Sequence, residues 1–296
     1  MISGILITGS SGFVGKNLSN YLLKRSFQVT AYFRNAMLDL TYIDVVVHLA
    51  GKAHDLKNTS IPNEYYQVNT ELTKKVFDAF IASDAKVFIT LSSVKAVADE
   101  VDGALTEEHI PTPITHYGIS KLLAEQYILS KEIPEGKRVY ILRPCMIHGP
   151  ENKGNLNLLY KIVSKGIPWP LGSFENKRSF CSIDNLMFVI NELIQRDDIP
   201  SGVYNVADND PMGTNMLISL IAKTKNRNPK IWKVSKKIII LLAKFGNVTK
   251  LPLNSERLEK LTQNYIVSNQ KLLNAIGKEL PMNAIDGIKK TLSSFN

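Results

Sequence analysis

The sequence predicts an α/β protein built on a doubly wound parallel sheet, and two observations carry that prediction. Short apolar runs alternate with segments of helical period through residue 145. The first of those runs leads through a glycine-rich turn into a helix, the order in which a dinucleotide-binding unit begins. Right-handed crossovers would place the carboxyl ends of all these strands on one rim.

The opening unit is Gly4 to Tyr21, GILITGSSGFVGKNLSNY. Ile5, Leu6 and Ile7 read as a strand buried on both faces. Gly9, Gly12 and Gly15 follow Thr8, and Val14, Leu18, Tyr21 and Leu22 recur at helical spacing. The first glycine permits a tight turn. The second lets backbone approach a pyrophosphate, and the third lets helix pack close to strand. The N–H groups at the helix start then face the phosphates, so Gly9, Ser11, Gly12, Phe13, Val14 and Gly15 are candidate cofactor contacts.

Phe27 to Phe33 reads as the second strand. Where an NAD site would carry Asp or Glu, the chain has Phe33 and then Arg34. A cation there pairs with a 2′-phosphate, which favours NADP, with NAD the alternative. The link Asn35–Ile43 is too short for a full helix and strand; its Asp39 is a weak candidate for adenine contact. Asp44 opens the buried strand VVVH, and Leu49, Ala50 and Gly51 at its end suit a cofactor crevice. Lys52 and His54 sit near the same mouth, His54 reading as a solvated loop residue. Asn63 to Ser83 reads as one long amphipathic helix carrying Asn69, which either holds backbone near the site or is exposed.

Lys86 to Ser93 is a further strand ending in two hydroxyls. Residues 98–115 read as a loop, His116 to Ser130 as a helix, and Val139 to Leu142 as a strand closed by Arg143 and Pro144. Beyond residue 149 the pattern changes to loops and lysine-bearing helices: a helix from Leu156 to Lys165, a turn at 169–172, a strand near Phe180–Ile183, a helix capped by Asp184, and a strand at Gly202–Ala207.

Composition is that of a soluble enzyme, with 44% hydrophobic and 21% charged residues and a net charge of +9. No Lys/Arg block reaches five in a row and no basic motif is interleaved with aromatics, which argues against nucleic acid; anionic small ligands account for the basic balance. Cys145 and Cys181 lack the spacing of a metal site, so no metal is expected, and they fit a reducing cytoplasm. Met1 leads directly into the first strand without a signal pattern. Ile238–Ala243 is too short to span a bilayer; flanked by Lys236, Lys237 and Lys244 it could touch a membrane, but a helix packed on the core is the expected reading.

Ser93, Tyr117 and Lys121 form the chemical set. Tyr and Lys four apart share a helix face. A nearby ammonium favours tyrosinate and is expected to draw the Tyr117 pKa toward neutrality. The phenol can then exchange a proton with a sugar hydroxyl or carbonyl while hydride moves to or from a nicotinamide; Ser93 can bond the same oxygen, and Lys121 can also hold the nicotinamide ribose.

TGSSGFVG at 8–15, VVHLAG at 46–51, LSS at 91–93, YGISK at 117–121 and LRPCMIHGP at 142–150 resemble the extended short-chain dehydrogenase/reductase family, and within it the nucleotide-sugar epimerase/dehydratase branch. The resemblance implies a Rossmann-like fold with a smaller C-terminal substrate-binding lobe: residues 1–150 plus about 178–208 for NAD(P), and 151–177 plus 209–296 for the nucleotide sugar. It further implies chemistry through a 4-keto sugar, catalysis by Ser93, Tyr117 and Lys121, Asn69 behind the active site, and Pro144 beside the cofactor. A homodimer through the Asn63 and His116 helices is usual in that family.

Two departures stand out. Ala96–Val97–Ala98 replaces the usual Val-Tyr-Gly. Val94–Lys95 stands where dehydratases carry acidic residues, and without an acid and base to expel water a dehydratase is disfavoured. ENKGNLNLL and PWPLGSFENKRSF resemble the diphosphate clasp of bacterial UDP-sugar 4-epimerases and 4-ketoreductases of surface-polysaccharide pathways. Asn155 at a helix start, Arg178 with its bidentate fork and Arg257 in the tail are the candidate substrate contacts. The expectation is thus a cytoplasmic enzyme acting at C4 of a UDP-sugar, either a 4-epimerase that retains its cofactor or a 4-ketoreductase using NADPH, with a slight lean to the reductase from Arg34. A non-catalytic NADP-sensing regulator is the rival from another class; it could lose the Tyr/Lys pair, which this chain keeps.

Overall fold

The computed structural model describes residues 2, 4–32, 37–52, 61–152, 155–249 and 254–295. Among the described residues ten strands run in chain order: β1 (Ile5–Thr8), β2 (Val29–Tyr32), β3 (Val45–His48), β4 (Val87–Leu91), β5 (Ala104–Leu105), β6 (Arg138–Pro144), β7 (Met146–His148), β8 (Phe180–Ser182), β9 (Gly202–Val206) and β10 (Ile266–Val267). Eleven α-helices among the described residues accompany them: α1 (Phe13–Leu23), α2 (Pro62–Tyr65), α3 (Leu72–Ala82), α4 (His116–Leu129), α5 (Asn155–Ser164), α6 (Ile183–Gln195), α7 (Thr214–Thr224), α8 (Lys236–Thr249), α9 (Ser255–Thr262), α10 (Gln270–Ile276) and α11 (Ala284–Ser293).

Six strands form one parallel sheet in the order β2-β1-β3-β4-β6-β9. The chain goes outward from β1 to β2 and then crosses back to β3 on the other side of β1. That reversal opens a crevice at the carboxyl ends of β1 and β3, where Thr8 and His48 are in register. Alternation along the strands fills both faces. Ile5, Ile7, Val45, Val47 and Ile89 pack with α1 and α6 residues on one side. Leu6, Val46, Phe88 and Ile141 meet Phe77 and Phe80 on the other. A strand buried twice has no polar face, which is why these segments read as continuous apolar runs.

A third apolar cluster joins α5, α7, α8, α9 and α11 through residues such as Tyr160, Ile221, Ile239, Leu258 and Ile288. The short β7–β8 pair ties this helical part to the sheet side, and the buried carboxylate of Asp208 stitches the joint. It accepts from Ser182 N at 2.9 Å and Asn185 Nδ2 at 2.7 Å, and lies 3.4 Å from His148 Nε2.

Two expectations change in detail. The long helix expected over 63–83 is interrupted: α2 runs into a π-helical turn, Tyr66–Glu71, before α3 resumes the α-helix. And α8 packs on the core by one face only. It buries Ile239, Ala243 and Gly246 but leaves Ile238, Leu241, Leu242 and Phe245 exposed.

Candidate active site

The glycine turn is shaped by backbone geometry. Gly9 has φ +69°, in the left-handed region, and a Cβ there would lie 2.6 Å from Ala50 N. A Cβ on Gly15 would lie 2.2 Å from Gly9 O, so α1 seats against the turn only because position 15 has no side chain. A Cβ on Gly12 would meet a single neighbour, Gly9 O at 3.3 Å. Gly12 is also the N-cap of α1, no side chain caps that helix, and its first turn holds no acid. An uncapped, positive helix start over an open glycine fits a pyrophosphate. Phe13 and Val14 are half-buried in this turn and Ser11 is exposed beside them.

A hydrogen-bonded relay braces the crevice. Ala50 N donates to Thr8 Oγ1 (3.1 Å), and Thr8 Oγ1 lies 2.8 Å from His48 Nδ1. His48 Nε2 lies 2.9 Å from Thr73 Oγ1, which donates onward to the Asn69 carbonyl at 2.7 Å. Because Thr73 spends its proton on that carbonyl, it accepts from His48 Nε2–H. Nδ1 is then the acceptor and Thr8 the donor. Burial, seconded by the Lys121 ammonium, pushes His48 down to about 3, so the imidazole stays neutral and the relay keeps one polarity.

Asn69 sits in the π-helical turn, fully buried, and does hold backbone. Its Oδ1 accepts from Lys52 N (2.7 Å), and its Nδ2 donates to Lys52 O (3.1 Å) and Ser120 Oγ (3.0 Å). This pins the segment after Gly51 to α4. A Cβ on Gly51 would stand 3.1 Å from both Asn69 Oδ1 and Lys121 Nζ. The π turn supplies the extra residue that turns Asn69 inward, a frequent use of such bulges.

Ser93, Tyr117 and Lys121 come together as their spacing suggested. Ser93 caps the short 3₁₀ turn after β4, and its side chain is hydrogen-bonded to the Tyr117 phenol. Thr115 caps α4, accepting from Gly118 N at 3.1 Å, and sets Tyr117 in the first turn. The Tyr117 ring meets Tyr65 edge to face at 6.2 Å. A Cβ on Gly118 would lie 2.3 Å from Lys95 O, so α4 approaches the Ser93 turn only with glycine there. Lys121 Nζ donates to Leu91 O at 2.8 Å.

The electrostatics of the pair differ from the sequence reading. The Tyr117 pKa lies above the ordinary tyrosine value, not below it. Burial is the main cause, the bond to Ser93 opposes it, and Tyr65 adds to the rise. Lys121 is itself pushed down to about 8 by burial, with Glu125 pulling back. The ammonium is directed at the Leu91 carbonyl, so what it could give the phenol is outweighed by the water both groups have lost.

Behind the pair lies a buried ion pair that sequence reasoning missed. Arg143 Nε donates to Glu125 Oε1 and Oε2 at 3.0 and 3.1 Å, and Ser92 bonds the same carboxylate. Glu125 follows Lys121 by one helical turn, which was the available signal. Likewise Thr8 and His48 were the polar ends of otherwise apolar strands.

The other candidates divide. Leu49, Ala50 and Gly51 lie at the end of β3, with Leu49 N bonded to Thr8 O, and Pro144 closes β6. Arg34 and His54 lie outside the described residues. Asp39 accepts from Thr41 N at 2.9 Å; bonds from Thr41 lower its pKa, and its carboxylate serves its own loop. Asn155 opens α5, its side chain outside the described part. Arg257 is exposed in the first turn of α9. Arg178 departs from the expected fork: its Nη2 donates to Lys260 O (2.7 Å) and its Nε to Gln263 O (3.3 Å), capping the end of α9. Lys95, at the dehydratase position, donates to Asp99 O (2.8 Å) and lies over the Tyr265 ring (4.2 Å). Both cysteines are buried free thiols whose pKa values burial raises.

A parallel Rossmann-like sheet with this serine, tyrosine and lysine on its rim defines an NAD(P)-dependent enzyme of the extended short-chain dehydrogenase/reductase class. Residues 5–207 match the model of the NAD dependent epimerase/dehydratase family, and the chain belongs to that family. Among its relatives is a UDP-glucose 4-epimerase of Vibrio cholerae, 31% identical, with 100% of this chain and 96% of the relative covered. An N-acetyl-alpha-D-glucosaminyl-diphospho-ditrans,octacis-undecaprenol 4-epimerase of Escherichia coli O157:H7 is 28% identical over 77% of this chain and 74% of its own length. The fold is shared with the UDP-glucuronic acid 4-epimerase of Bacillus cereus in complex with NAD (TM-score 0.77, 19% identity, 99% and 98% covered). It is shared as well with RMD of Pseudomonas aeruginosa complexed with NADPH (0.74, 23%, 99% and 99%).

Proposed function

We propose that the chain is a nucleotide-sugar 4-epimerase acting on a UDP-linked sugar. The observation that carries this is the hydrogen bond between Ser93 and a half-buried Tyr117, one helical turn from Lys121. A hydroxyl pair of this kind can hold one sugar oxygen and trade one proton with it. The glycine turn, Leu49–Gly51, Asn69 and Pro144 would hold the dinucleotide, with Arg34 beside a 2′-phosphate. When bound, the nicotinamide supplies the hydride acceptor and donor.

The residues' own work is proton handling. Tyr117, as the phenolate, takes the C4 hydroxyl proton as that carbon is oxidised and, as the phenol, returns it on reduction. Ser93 donates to the same oxygen and fixes its place. Lys121 stabilises the phenolate as it forms, since a raised phenol pKa leaves that charge in need of a partner. His48, held neutral, keeps the floor of the crevice fixed. Asn155, Arg257 and the remaining edge of Arg178 are proposed diphosphate contacts. The helical part beyond residue 150, apart from about 178–208, is the proposed substrate lobe of a cytoplasmic enzyme, with a homodimer through the Asn63 and His116 helices.

A 4-ketoreductase is the second reading, favoured by Arg34, a cation where NADP would place its 2′-phosphate. The purified protein decides between them. Nucleotide released on denaturation, with interconversion of a UDP-sugar and its C4 epimer, supports the epimerase. NADPH consumption with a 4-keto UDP-sugar, and none with UDP-glucose or UDP-N-acetylglucosamine, supports the reductase. The panel includes a polyprenyl-diphosphate sugar, because a diphosphate is common to both carriers. Tight NADP binding with no turnover on any sugar would overturn both.

A further inference from the structure

The sequence from 211 to 255 contains nine of the 36 lysines and arginines and none of the 27 carboxylates. The rest of the chain is balanced, 27 cations to 27 anions, so the whole net charge of +9 resides in this stretch. The same stretch contains α8, whose apolar residues mostly face solvent. Leu241 is 69% exposed and Phe245 61%, while Ile239, on the seated side, is 2% exposed. At about 100° per residue, Ile238, Leu241, Leu242 and Phe245 share an arc of about 100°. Lys237 and Lys244 stand along its open edge, and Lys233, Lys236 and the exposed Trp232 lie at its start.

Lysines along one edge and one end of an apolar stripe, with tryptophan at that end, match the plane of an acidic lipid surface. Lysines meet the headgroups and the stripe enters the acyl boundary. Glu256 and Glu259 are on the neighbouring α9, where Glu256 is paired with Lys260, and Lys236 lies over the Phe174 ring at 5.6 Å. Among the described residues no helix is long and apolar enough to cross a membrane, so contact would be in the interface plane. We infer that α8 docks this protein on the surface of an acidic lipid bilayer. The inference is independent of the proposed reaction, since none of these residues belongs to the site.

The test is co-sedimentation of the full chain with vesicles of phosphatidylcholine alone and with phosphatidylglycerol added. Binding to the acidic vesicles only, weakening as salt rises, is the expected result. Leu241→Asp should reduce partitioning about tenfold, from the lost apolar burial and the added charge. Lys237→Gln and Lys244→Gln should each reduce it about fivefold. Turnover of a water-soluble nucleotide sugar should be unchanged in all three, which separates this failure from failure of the proposed reaction. Absence of wild-type binding to acidic vesicles, or unaltered binding by Leu241→Asp, would overturn the inference. So would light scattering that shows a wild-type dimer split by Leu241→Asp, because a second copy would then cover the stripe.

Discussion

Lys121 should cost the fold stability in a way that pH can read. Its half-buried ammonium has lost much of its water, and its pKa falls from 10.5 to about 8. A lysine whose folded pKa lies below its unfolded value binds fewer protons folded than unfolded. The penalty is therefore full below pH 8 and is relieved as pH rises toward 10.5. The shift corresponds to about 3 kcal/mol at neutral pH, at about 1.4 kcal/mol per unit. Lys121→Met removes that penalty and also the bond to the Leu91 carbonyl, worth about 1–3 kcal/mol, so near pH 7 the two proteins should be similarly stable. Between pH 7 and 9.5 the wild type should gain about 2 kcal/mol on the variant. With about 2 cal/mol/K of unfolding entropy per residue, that is about 3 °C in Tm. Thermal melts of both proteins across that range are the assay. A Tm difference that does not change with pH, or one in which the wild type loses ground as pH rises, would refute the argument. The variant should also lose turnover by orders of magnitude, since the phenolate would then form without its cation.

The remaining predictions follow from individual contacts. Tyr117→Phe should lower kcat by orders of magnitude while NAD(P) still binds, measured by titration and steady-state kinetics; near-normal turnover would dismiss its assigned role. Gly9→Ala should destabilise the protein by about 1–2 kcal/mol and weaken cofactor binding, because a Cβ at φ +69° is strained and would collide with Ala50 N. Glu125→Gln should cost about 3–5 kcal/mol in urea unfolding, since it leaves the Arg143 guanidinium buried without its anion. Replacing both partners with apolar residues should recover most of that loss.

What could be read from the sequence was what local spacing encodes. The apolar runs gave the strands because both sheet faces are covered, and the glycine trio gave the turn because only glycine fits Gly9 and Gly15. Tyr117 and Lys121 needed only the helical period, and Ser93 only its place at a strand end. Less was readable where the outcome depends on distant partners. The Tyr117 pKa turns on burial, with Tyr65 adding to the rise, and on where Lys121 points, none of which is written in a four-residue spacing. Arg178 looked free to clasp a phosphate, but the carbonyls that occupy it are 82 and 85 residues away. The π turn at Asn69 follows from a packing demand that no propensity records.

The contrast between α3 and α8 shows why an apolar run alone does not settle burial. The sequence reads α3 as part of an amphipathic helix and Ile238–Ala243 of α8 as a helix packed on the core. In α3, Val76, Phe77 and Phe80 find Phe88 and the sheet, and all three are fully buried. In α8 only the stripe through Ile239 and Ala243 joins the apolar cluster of the helical part. The neighbouring helices supply too little surface to cover a helix that is apolar on more than one side. The uncovered side is bordered by lysines and not by the mixed charges of a solvated face. A helix held in place by one narrow stripe, with its larger apolar side exposed and Lys237 and Lys244 along the edge of that side, presents a surface whose charge complement is negative.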